Sequence, residues 1–239
     1  MSQIIVIIRF SLCITKGFGK HKLDQLYNSD RMNRRFELFE TVCLPSLKCQ
    51  KYPIDIVTLV SPSMPRKYFD RLAGLGVNIV VIRGDNIETN EYLKYVIKDR
   101  TTKIATVKLD DDDALHPNFS SVIYGYMENT NGKILVSFPY GCQYNIVTNR
   151  CTLTNIKLIA CGLTLIDHID SKHNVYYKDY ADGTARFNSK DKLKVIFDNT
   201  SMMYLITDHN HNHSARGMWD KSTVQSDDLL CQIKTLYNI

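Results

Sequence analysis

The sequence predicts an α/β protein in which a mostly parallel sheet is followed by a mixed, loop-rich region. In the first half, short apolar runs alternate with segments of helical periodicity, which is the βαβα order that parallel sheets require. In the second half, strand-like runs follow one another with turn residues between them. The 239 residues suffice for one domain with a substantial core, within which we distinguish a first half (1–130) and a second half (131–239).

The first half is expected to alternate strands and helices. Apolar runs bounded by turn residues predict the strands, and apolar residues three or four positions apart predict the helices. Phe36 and Phe39 have this helical spacing, whereas Pro45 should kink or end their helix early. In chain order we expect strand Ile4–Arg9, helix Met32–Lys48, strand Asp55–Val60, helix Pro65–Leu72, strand Asn78–Ile82, helix Asn90–Ile97, strand Ile104–Leu109 and helix Pro117–Tyr126.

The second half is expected to be mostly strands. A hairpin is predicted where two strand-like runs flank Val147-Thr148-Asn149. The expected elements are strand Ile134–Phe138, hairpin Gly141–Asn145 with Arg150–Thr154, and strands Ala160–Ile166, Lys194–Phe197 and Met202–Thr207, followed by a helix at Asp227–Leu236.

Composition argues against several classes of protein. Hydrophobic content of 44% and charged content of 23% are those of an ordinary globular protein. No run is long and apolar enough to span a bilayer, and the apolar run Ile4–Ile8 lacks the length and basic flank of a secretory signal. We therefore expect a cytoplasmic protein with at most peripheral membrane contact. The net charge of +5 without a dense basic tract argues against nucleic acid as a partner.

The seven cysteines indicate reduced thiols rather than a disulfide framework. Their number is odd, they are scattered, and no CxxC pair occurs. Cys142 and Cys151 flank the predicted hairpin and could lie near each other.

The most informative motif is a run of four acidic residues directly after the apolar strand Ile104–Leu109. Carboxylates in this place lie at the carboxyl edge of the sheet, where open α/β sheets bind ligands. A bound Mg²⁺ or Mn²⁺ would offset their mutual repulsion and would also bind substrate phosphates. A solvated acidic turn ahead of a helix is the alternative. The run holds Asp-x-Asp in two registers, Asp110/Asp112 and Asp111/Asp113.

A second motif, His209-Asn210-His211-Asn212-His213, follows an apolar strand near the end of the chain. Alternating histidines place two imidazoles on one face, and neutral imidazole binds Mn²⁺ or Zn²⁺. A solvated polar loop is the alternative.

Arginines near these motifs are candidates for anion binding. Arg216 carries planar donors suited to a diphosphate, unless it is an ordinary surface arginine. Arg9, at the end of the first strand, can face a nucleotide or snorkel at the sheet edge. Arg34 and Arg35 are expected on a solvated helix face.

Four separated stretches, in order along most of the chain, carry a resemblance to a known family. They are Arg9-Phe10-Ser11; Arg35-Phe36-Glu37-Leu38-Phe39-Glu40 with Cys43-Leu44-Pro45-Ser46-Leu47 and Gln50; Leu109-Asp110-Asp111-Asp112-Asp113-Ala114-Leu115-His116-Pro117-Asn118-Phe119; and His209 with Asn212 and Arg216-Gly217. Together they resemble the putative rhamnosyltransferase family of GT-A glycosyltransferases. Where that pattern leads us to expect an aromatic residue ahead of Arg35, this chain has Arg31-Met32.

The resemblance implies a single GT-A domain. Its Rossmann-like first half would bind a UDP- or dTDP-sugar through Mn²⁺ or Mg²⁺, and its second half would bind a glycan or another hydroxyl acceptor. Carried over to this sequence, Asp113 would contact the metal and Asp111 the ribose or sugar, with Asp110 and Asp112 beside them. His209 would be the later metal ligand, with His211 as the alternative.

Further roles follow from the same resemblance. Arg9 would line the nucleotide pocket, and the C-terminal loop would bring Arg216 to the leaving diphosphate. Asp85 lies where GT-A enzymes often recognise the base, although an Asx turn is an equal alternative.

An inverting transfer would also need a carboxylate that deprotonates the acceptor hydroxyl. Asp182 is the first candidate, because the adjacent Gly183 permits a tight turn, and Asp179 is the second; a solvated loop position is the alternative for each. Asp227 and Asp228 form a weaker pair that can equally begin a helix.

Two other functions compete with the transferase. A metal-dependent hydrolase acting on a phosphorylated or glycosidic substrate could use the same carboxylates and histidines to activate water. A cation-dependent sugar-binding module is the non-enzymatic alternative, which the βαβα first half disfavours because such modules are usually all-β.

Overall fold

The computed structural model describes residues 2–12, 20–82, 87, 89–98, 101–177, 193–209 and 227–237. Its eleven strands are β1 (Ser2–Arg9), β2 (Ile54–Val60), β3 (Asn78–Val81), β4 (Lys103–Asp110), β5 (Ala114–Leu115), β6 (Ile134–Ser137), β7 (Tyr140–Asn145), β8 (Arg150–Asn155), β9 (Thr164–His168), β10 (Lys194–Phe197) and β11 (Tyr204–Asp208). Its α-helices are α1 (Lys20–Leu26), α2 (Ser29–Leu38), α3 (Leu44–Lys48), α4 (Arg66–Ala73), α5 (Phe119–Asn129) and α6 (Asp227–Tyr237).

Seven strands form one large sheet in the order β10-β6-β9-β4-β1-β2-β3. All neighbours in it are parallel except β9, which runs antiparallel to both β4 and β6. The predicted α/β class with a mostly parallel sheet is therefore confirmed. Strands from both the first and the second half of the chain build this sheet.

Four further strands form a smaller, separate sheet in the order β5-β11-β7-β8. The expected hairpin is present as β7 and β8, paired antiparallel from Tyr140↔Asn155 to Asn145↔Arg150. The two-residue strand β5, which directly follows the acidic run, pairs antiparallel with β11. This pairing ties the acidic run to the segment that leads into His209.

Strand β1 lies inside the large sheet, between β4 and β2, and its sequence explains why. Its β-branched residues are buried on both faces, as expected for a strand covered on both sides. Ile4, Val6 and Ile8 contribute to the core under the α2–α3 segment, and Ile5 and Ile7 contribute to the core on the opposite face. A third cluster, which includes Ile233 of α6, packs on the small sheet.

The predicted helix at Met32–Lys48 is helical almost throughout, and Pro45 does not end it. The helix begins earlier, at Ser29, because Asn28 Oδ1 accepts hydrogen bonds from the N–H groups of Asp30 and Arg31. A π-helical turn, Phe39–Cys43, precedes Pro45, which then occupies the first turn of α3. A wider turn at this point accommodates a residue that lacks an N–H group.

Other differences from the expected elements are local. The segment expected as helix Asn90–Ile97 forms a 3₁₀ helix at Glu91–Tyr95, and β9 begins at Thr164 rather than Ala160. Helix α1 and strand β5 were not predicted because neither has a long apolar period. The six described cysteines all carry free thiols. Among the described helices, none combines the length and apolarity needed to cross a bilayer.

Candidate functional site

The candidate site lies where the parallel strands β1 and β4 end. Arg9 and Asp110 are register partners there, and Arg9 Nη2 donates to Asp110 Oδ1 over 3.3 Å. Both side chains remain accessible, with 30% of the Arg9 side chain and 44% of the Asp110 side chain exposed. A carboxylate and a guanidinium therefore face solvent together at the carboxyl edge of the sheet.

Tyr176 lies beneath this pair. Arg9 Cζ is 5.3 Å from the centroid of the Tyr176 ring and Lys108 Nζ is 5.4 Å from it. The Tyr176 hydroxyl donates to Ile7 O over 3.1 Å, and its backbone N–H donates to Asn174 Oδ1 over 2.8 Å. Burial raises the pKa of Tyr176, so its hydroxyl stays protonated at neutral pH. The Tyr176 ring is thus a fixed, neutral surface that makes cation–π contacts with the side chains of Arg9 and Lys108.

The next two acidic residues turn away from this open side and bind Arg35 of α2. Arg35 Nε donates to Asp111 Oδ2 over 3.0 Å, Nη1 donates to Asp112 Oδ2 over 2.8 Å, and Nη2 forms an ion pair with Asp111 Oδ1. The Asp111 side chain is 0% exposed and that of Arg35 is 12% exposed. The expectation of a solvated helix face was wrong for Arg35, whereas the more exposed Arg34 pairs with Glu37 over 2.8 Å.

His209, which directly follows β11, contacts Asp112 as well. Its Nε2 lies 2.8 Å from Asp112 Oδ2, and the exposed fraction of its side chain is 1%. Burial alone would raise the pKa of Asp112, but Arg35 and the His209 hydrogen bond outweigh it and lower that pKa overall. Asp112 is therefore an ionised carboxylate at neutral pH.

Asp113 has the opposite character. Its Oδ1 accepts a hydrogen bond from the Thr207 N–H over 3.1 Å, and the Thr207 hydroxyl donates to Asp112 O over 2.8 Å. Burial, with the negative charges of Asp112 and Asp110, raises the pKa of Asp113 well above its usual value. The buried Cys43 and Cys161 thiols nearby also have raised pKa values, chiefly because of burial. They are not activated nucleophiles.

The structure thus brings six of the predicted site residues to one edge of the sheet: Arg9, Asp110, Asp111, Asp112, Asp113 and His209. Five others lie outside the described residues: Asp85, Asp179, Asp182, His211 and Arg216. Asp228 is exposed at the start of α6, and the side chain of the adjacent Asp227 is not described.

Sequence reasoning missed four contributors: Lys108, Tyr176, Arg35 and Thr207. A signal existed for two of them. Arg35 is the first residue of one of the four family stretches. Lys108 is the one charged residue in the interior of strand Lys103–Asp110. Tyr176 and Thr207 become visible only through the tertiary structure.

Asp112 and His209 are the described groups best placed to hold a cation. In the described part of the chain, no three or more His, Cys, Asp or Glu side chains are grouped to form a complete cage. The Asp112 carboxylate oxygen is a hard donor and the His209 imidazole nitrogen a borderline one, so together they could hold a cation such as Mn²⁺. Such cations are commonly bound by one or two protein groups, with substrate phosphates and water as the remaining ligands.

Comparison with solved structures finds distant likenesses. The chain is similar to S. aureus TarS, at 11% identity and a TM-score of 0.44, over 86% of this chain and 37% of that one. A shorter S. aureus TarS chain in complex with UDP is 10% identical, with a TM-score of 0.43, over 86% of this chain and 60% of that one. A putative nucleotide-diphospho-sugar transferase from Desulfovibrio desulfuricans G20 is 12% identical, with a TM-score of 0.41, over 87% and 81%.

The chain thus spans 37% and 60% of the two TarS chains that it matches. No curated protein matches it. A family model does: the family described as putative rhamnosyl transferase matches residues 3–221, which include Arg9, the acidic run Asp110–Asp113 and His209. By this match over most of its length, the chain belongs to the putative rhamnosyl transferase family.

Proposed function

We propose that this protein is a metal-dependent glycosyltransferase. It transfers a sugar, rhamnose by the description of its family, from a UDP- or dTDP-sugar to a hydroxyl group of a glycan acceptor. The observation that carries this proposal is the contact of Asp112 with His209, 97 residues apart in sequence, beside the accessible Arg9–Asp110 pair. A carboxylate and an imidazole at the carboxyl edge of a parallel sheet are suited to a cation that is shared with a bound diphosphate.

The proposal uses the Asp110/Asp112 register of the acidic run. Asp111 is fully buried and both of its oxygens face Arg35, which makes it a structural partner of α2. Asp113 is committed to the Thr207 N–H group. Asp110 is open to the ribose or sugar. Asp112 is ionised, and although its Oδ2 already accepts from Arg35 Nη1, that oxygen and the adjacent His209 Nε2 are the pair that we assign to Mn²⁺ or Mg²⁺.

Each side chain has a distinct task in this scheme. A divalent cation, when bound, offsets the negative charge that grows on the leaving diphosphate. Arg35 keeps Asp112 ionised and in place. Arg9 stays charged beside the Asp110 carboxylate, and it orients the nucleotide through directional N–H donors.

The acceptor side of the proposal rests on the sequence. In an inverting transfer, Asp182 or Asp179 accepts the proton of the acceptor hydroxyl while that oxygen attacks the anomeric carbon and the diphosphate leaves. Arg216 contributes positive charge to the leaving diphosphate, and His211 is the alternative to His209 as a cation ligand. These four residues and the proposed base contact of Asp85 lie outside the described residues.

Calorimetry with UDP and dTDP, each with Mn²⁺ or with EDTA, tests the cation site. Wild-type protein should bind one of the two nucleotides, and should bind it at least about tenfold more tightly with Mn²⁺. Asp112→Asn and His209→Gln should lose this gain, while His168→Gln, an exposed histidine at the end of β9, should keep it. Equal affinity with Mn²⁺ and EDTA in the wild type would contradict metal dependence. Product anomeric configuration, measured by NMR after transfer, decides whether the reaction inverts.

A further inference from the structure

Arg31 is a third arginine at the same edge of the sheet, one helical turn before Arg35 on α2. Its Nη1 donates to Ser11 Oγ over 3.0 Å and to Leu26 O over 2.7 Å. Its Nε is buried and has no hydrogen-bond partner. The described residues therefore leave part of this guanidinium unsatisfied, which is uncommon for a buried donor.

Arg31 also differs from its two neighbours in charge balance. Arg9 faces Asp110, and Arg35 faces Asp111 and Asp112, whereas no carboxylate within the described ranges forms an ion pair with Arg31. Burial, followed by repulsion from Arg35, lowers the pKa of Arg31 to about 10. The side chain remains a cation at neutral pH, and its surroundings favour the arrival of an anion.

Arg31 lies close to the proposed cation site. Residues four apart on a helix lie on the same side, about 6 Å apart along the axis. Arg35 contacts Asp112, and Arg31 is close enough to Asp112 for their charges to interact. Arg31 thus lies one turn away from the Asp112–His209 pair, with the Ser11 hydroxyl beside it.

We propose that Arg31 binds a phosphate group of the nucleoside diphosphate donor. This inference rests on the proposed function and adds a residue to the donor site. The guanidinium matches a phosphate with two parallel N–H donors, which a single ammonium group cannot do. Nε, unpartnered in the described structure, is one of those donors, so phosphate binding satisfies both its hydrogen bond and its charge. Arg31 lies at the point where this chain departs from the aromatic residue expected ahead of Arg35.

Calorimetry on phosphate and non-phosphate ligands tests the role of Arg31. The probes are UDP with uridine and dTDP with thymidine, in Mn²⁺, and the variants are Arg31→Gln, Arg31→Lys and the control Arg34→Gln. Arg34 lies on the same helix and pairs with Glu37. Arg31→Gln should weaken binding of the nucleoside diphosphate about 10- to 100-fold, the usual effect of losing hydrogen bonds to a charged group. Nucleoside affinity should not change, Arg31→Lys should fall between, and Arg34→Gln should match the wild type.

A stability readout separates binding from folding. Inorganic pyrophosphate should raise the melting temperature of the wild type and of Arg34→Gln, and should raise that of Arg31→Gln less. If Arg31→Gln fails to fold, Arg31→Lys supplies the same comparison. Equal affinity of wild type and Arg31→Gln for the diphosphate overturns the inference while leaving the proposed function intact, and an equal loss of nucleoside and diphosphate affinity overturns it as well. If the wild type binds neither nucleotide, both proposals fall.

Discussion

The two sides of the acidic run have the same chemistry and opposite environments. Asp110 ends β4 on the face of Lys108 and Tyr176, and 44% of its side chain is exposed. Asp111, one residue later, is fully buried against Arg35. The chain turns at this point, with the Asp113 N–H bonded to Asp110 O, so successive carboxylates leave the sheet on different sides. Position relative to the strand end, rather than residue type, decides which aspartate meets solvent.

The open side and the closed side therefore do different work. The closed side, Asp111–Asp113, joins α2 through Arg35 and β11 through Thr207 and His209 to the end of β4. Buried carboxylates are stable there because each has a partner, and removing a partner leaves a charge without compensation. The open side, Arg9 and Asp110, is weakly coupled and accessible, which suits residues that must exchange partners when a ligand binds.

Removal of Arg35 should produce the largest loss of stability, because it leaves two buried carboxylates without their ion-pair partner. Arg35→Met should lower the free energy of unfolding by about 3–5 kcal/mol, the range for breaking one partner of a buried ion pair. The measurement is urea unfolding at pH 7 in EDTA. Arg34→Met removes only a partly exposed ion pair with Glu37 on the same helix, so it should lower stability by no more than about 1 kcal/mol. Similar losses in the two variants would show that the closed side is no more tightly coupled than the surface.

Asp112 and Asp113 should respond oppositely to neutralisation in metal-free protein. The lowered pKa of Asp112 means that the folded state favours its ionised form. This stability is present above the unfolded pKa near 3.9 and is lost as pH falls through the folded pKa. Asp112→Asn should therefore lower the free energy of unfolding at pH 7 by about 1.5–3 kcal/mol, with the difference shrinking in acid.

For Asp113 the sign is reversed, because the folded state favours its protonated form. Ionisation opposes folding as pH rises from the unfolded pKa near 3.9 toward the raised folded value. Asp113→Asn retains an acceptor for the Thr207 N–H group without the charge. It should raise the free energy of unfolding at pH 7 by about 1 kcal/mol, with little effect near pH 3. Urea titrations at several pH values, in EDTA, measure both variants, and losses of the same sign at pH 7 would contradict the assignment.

Sequence reasoning predicted most of the fold because its signals are local. Uniformly apolar, β-branched runs such as Ile4–Ile8 predict central parallel strands whatever lies around them. The helix continues through Pro45 for a local reason too: a π-helical turn compensates for the missing hydrogen bond, which single-residue rules do not foresee. Strand β5 has only two residues, which is too short to show a periodicity in the sequence, and it forms only because it pairs with β11.

The site was harder to predict because its key contacts are between distant segments. The acidic run was identified, but not which of its carboxylates stays accessible to solvent, since this depends on the turn at Asp110–Asp113. Arg35 stood in one of the four family stretches, but its partners Asp111 and Asp112 lie 76 and 77 residues away in sequence, so only the tertiary structure reveals the contact.

The smallest expected effect is the coupling free energy of the Arg9–Asp110 pair on the open side, which can be compared directly with that of a buried pair. A double-mutant cycle with Arg9→Met and Asp110→Asn measures the coupling free energy of that pair in urea unfolding. Because both side chains are partly exposed and Arg9 Nη2 is 3.3 Å from Asp110 Oδ1, the coupling should not exceed about 1 kcal/mol and should weaken at high salt. The same cycle with Arg35→Met and Asp112→Asn should give a larger coupling that salt changes little, since solvent ions cannot enter a buried contact. A coupling at Arg9–Asp110 that matches the buried pair would mean that the open side is also a structural ion pair, and would remove the reason for assigning ligand binding to it.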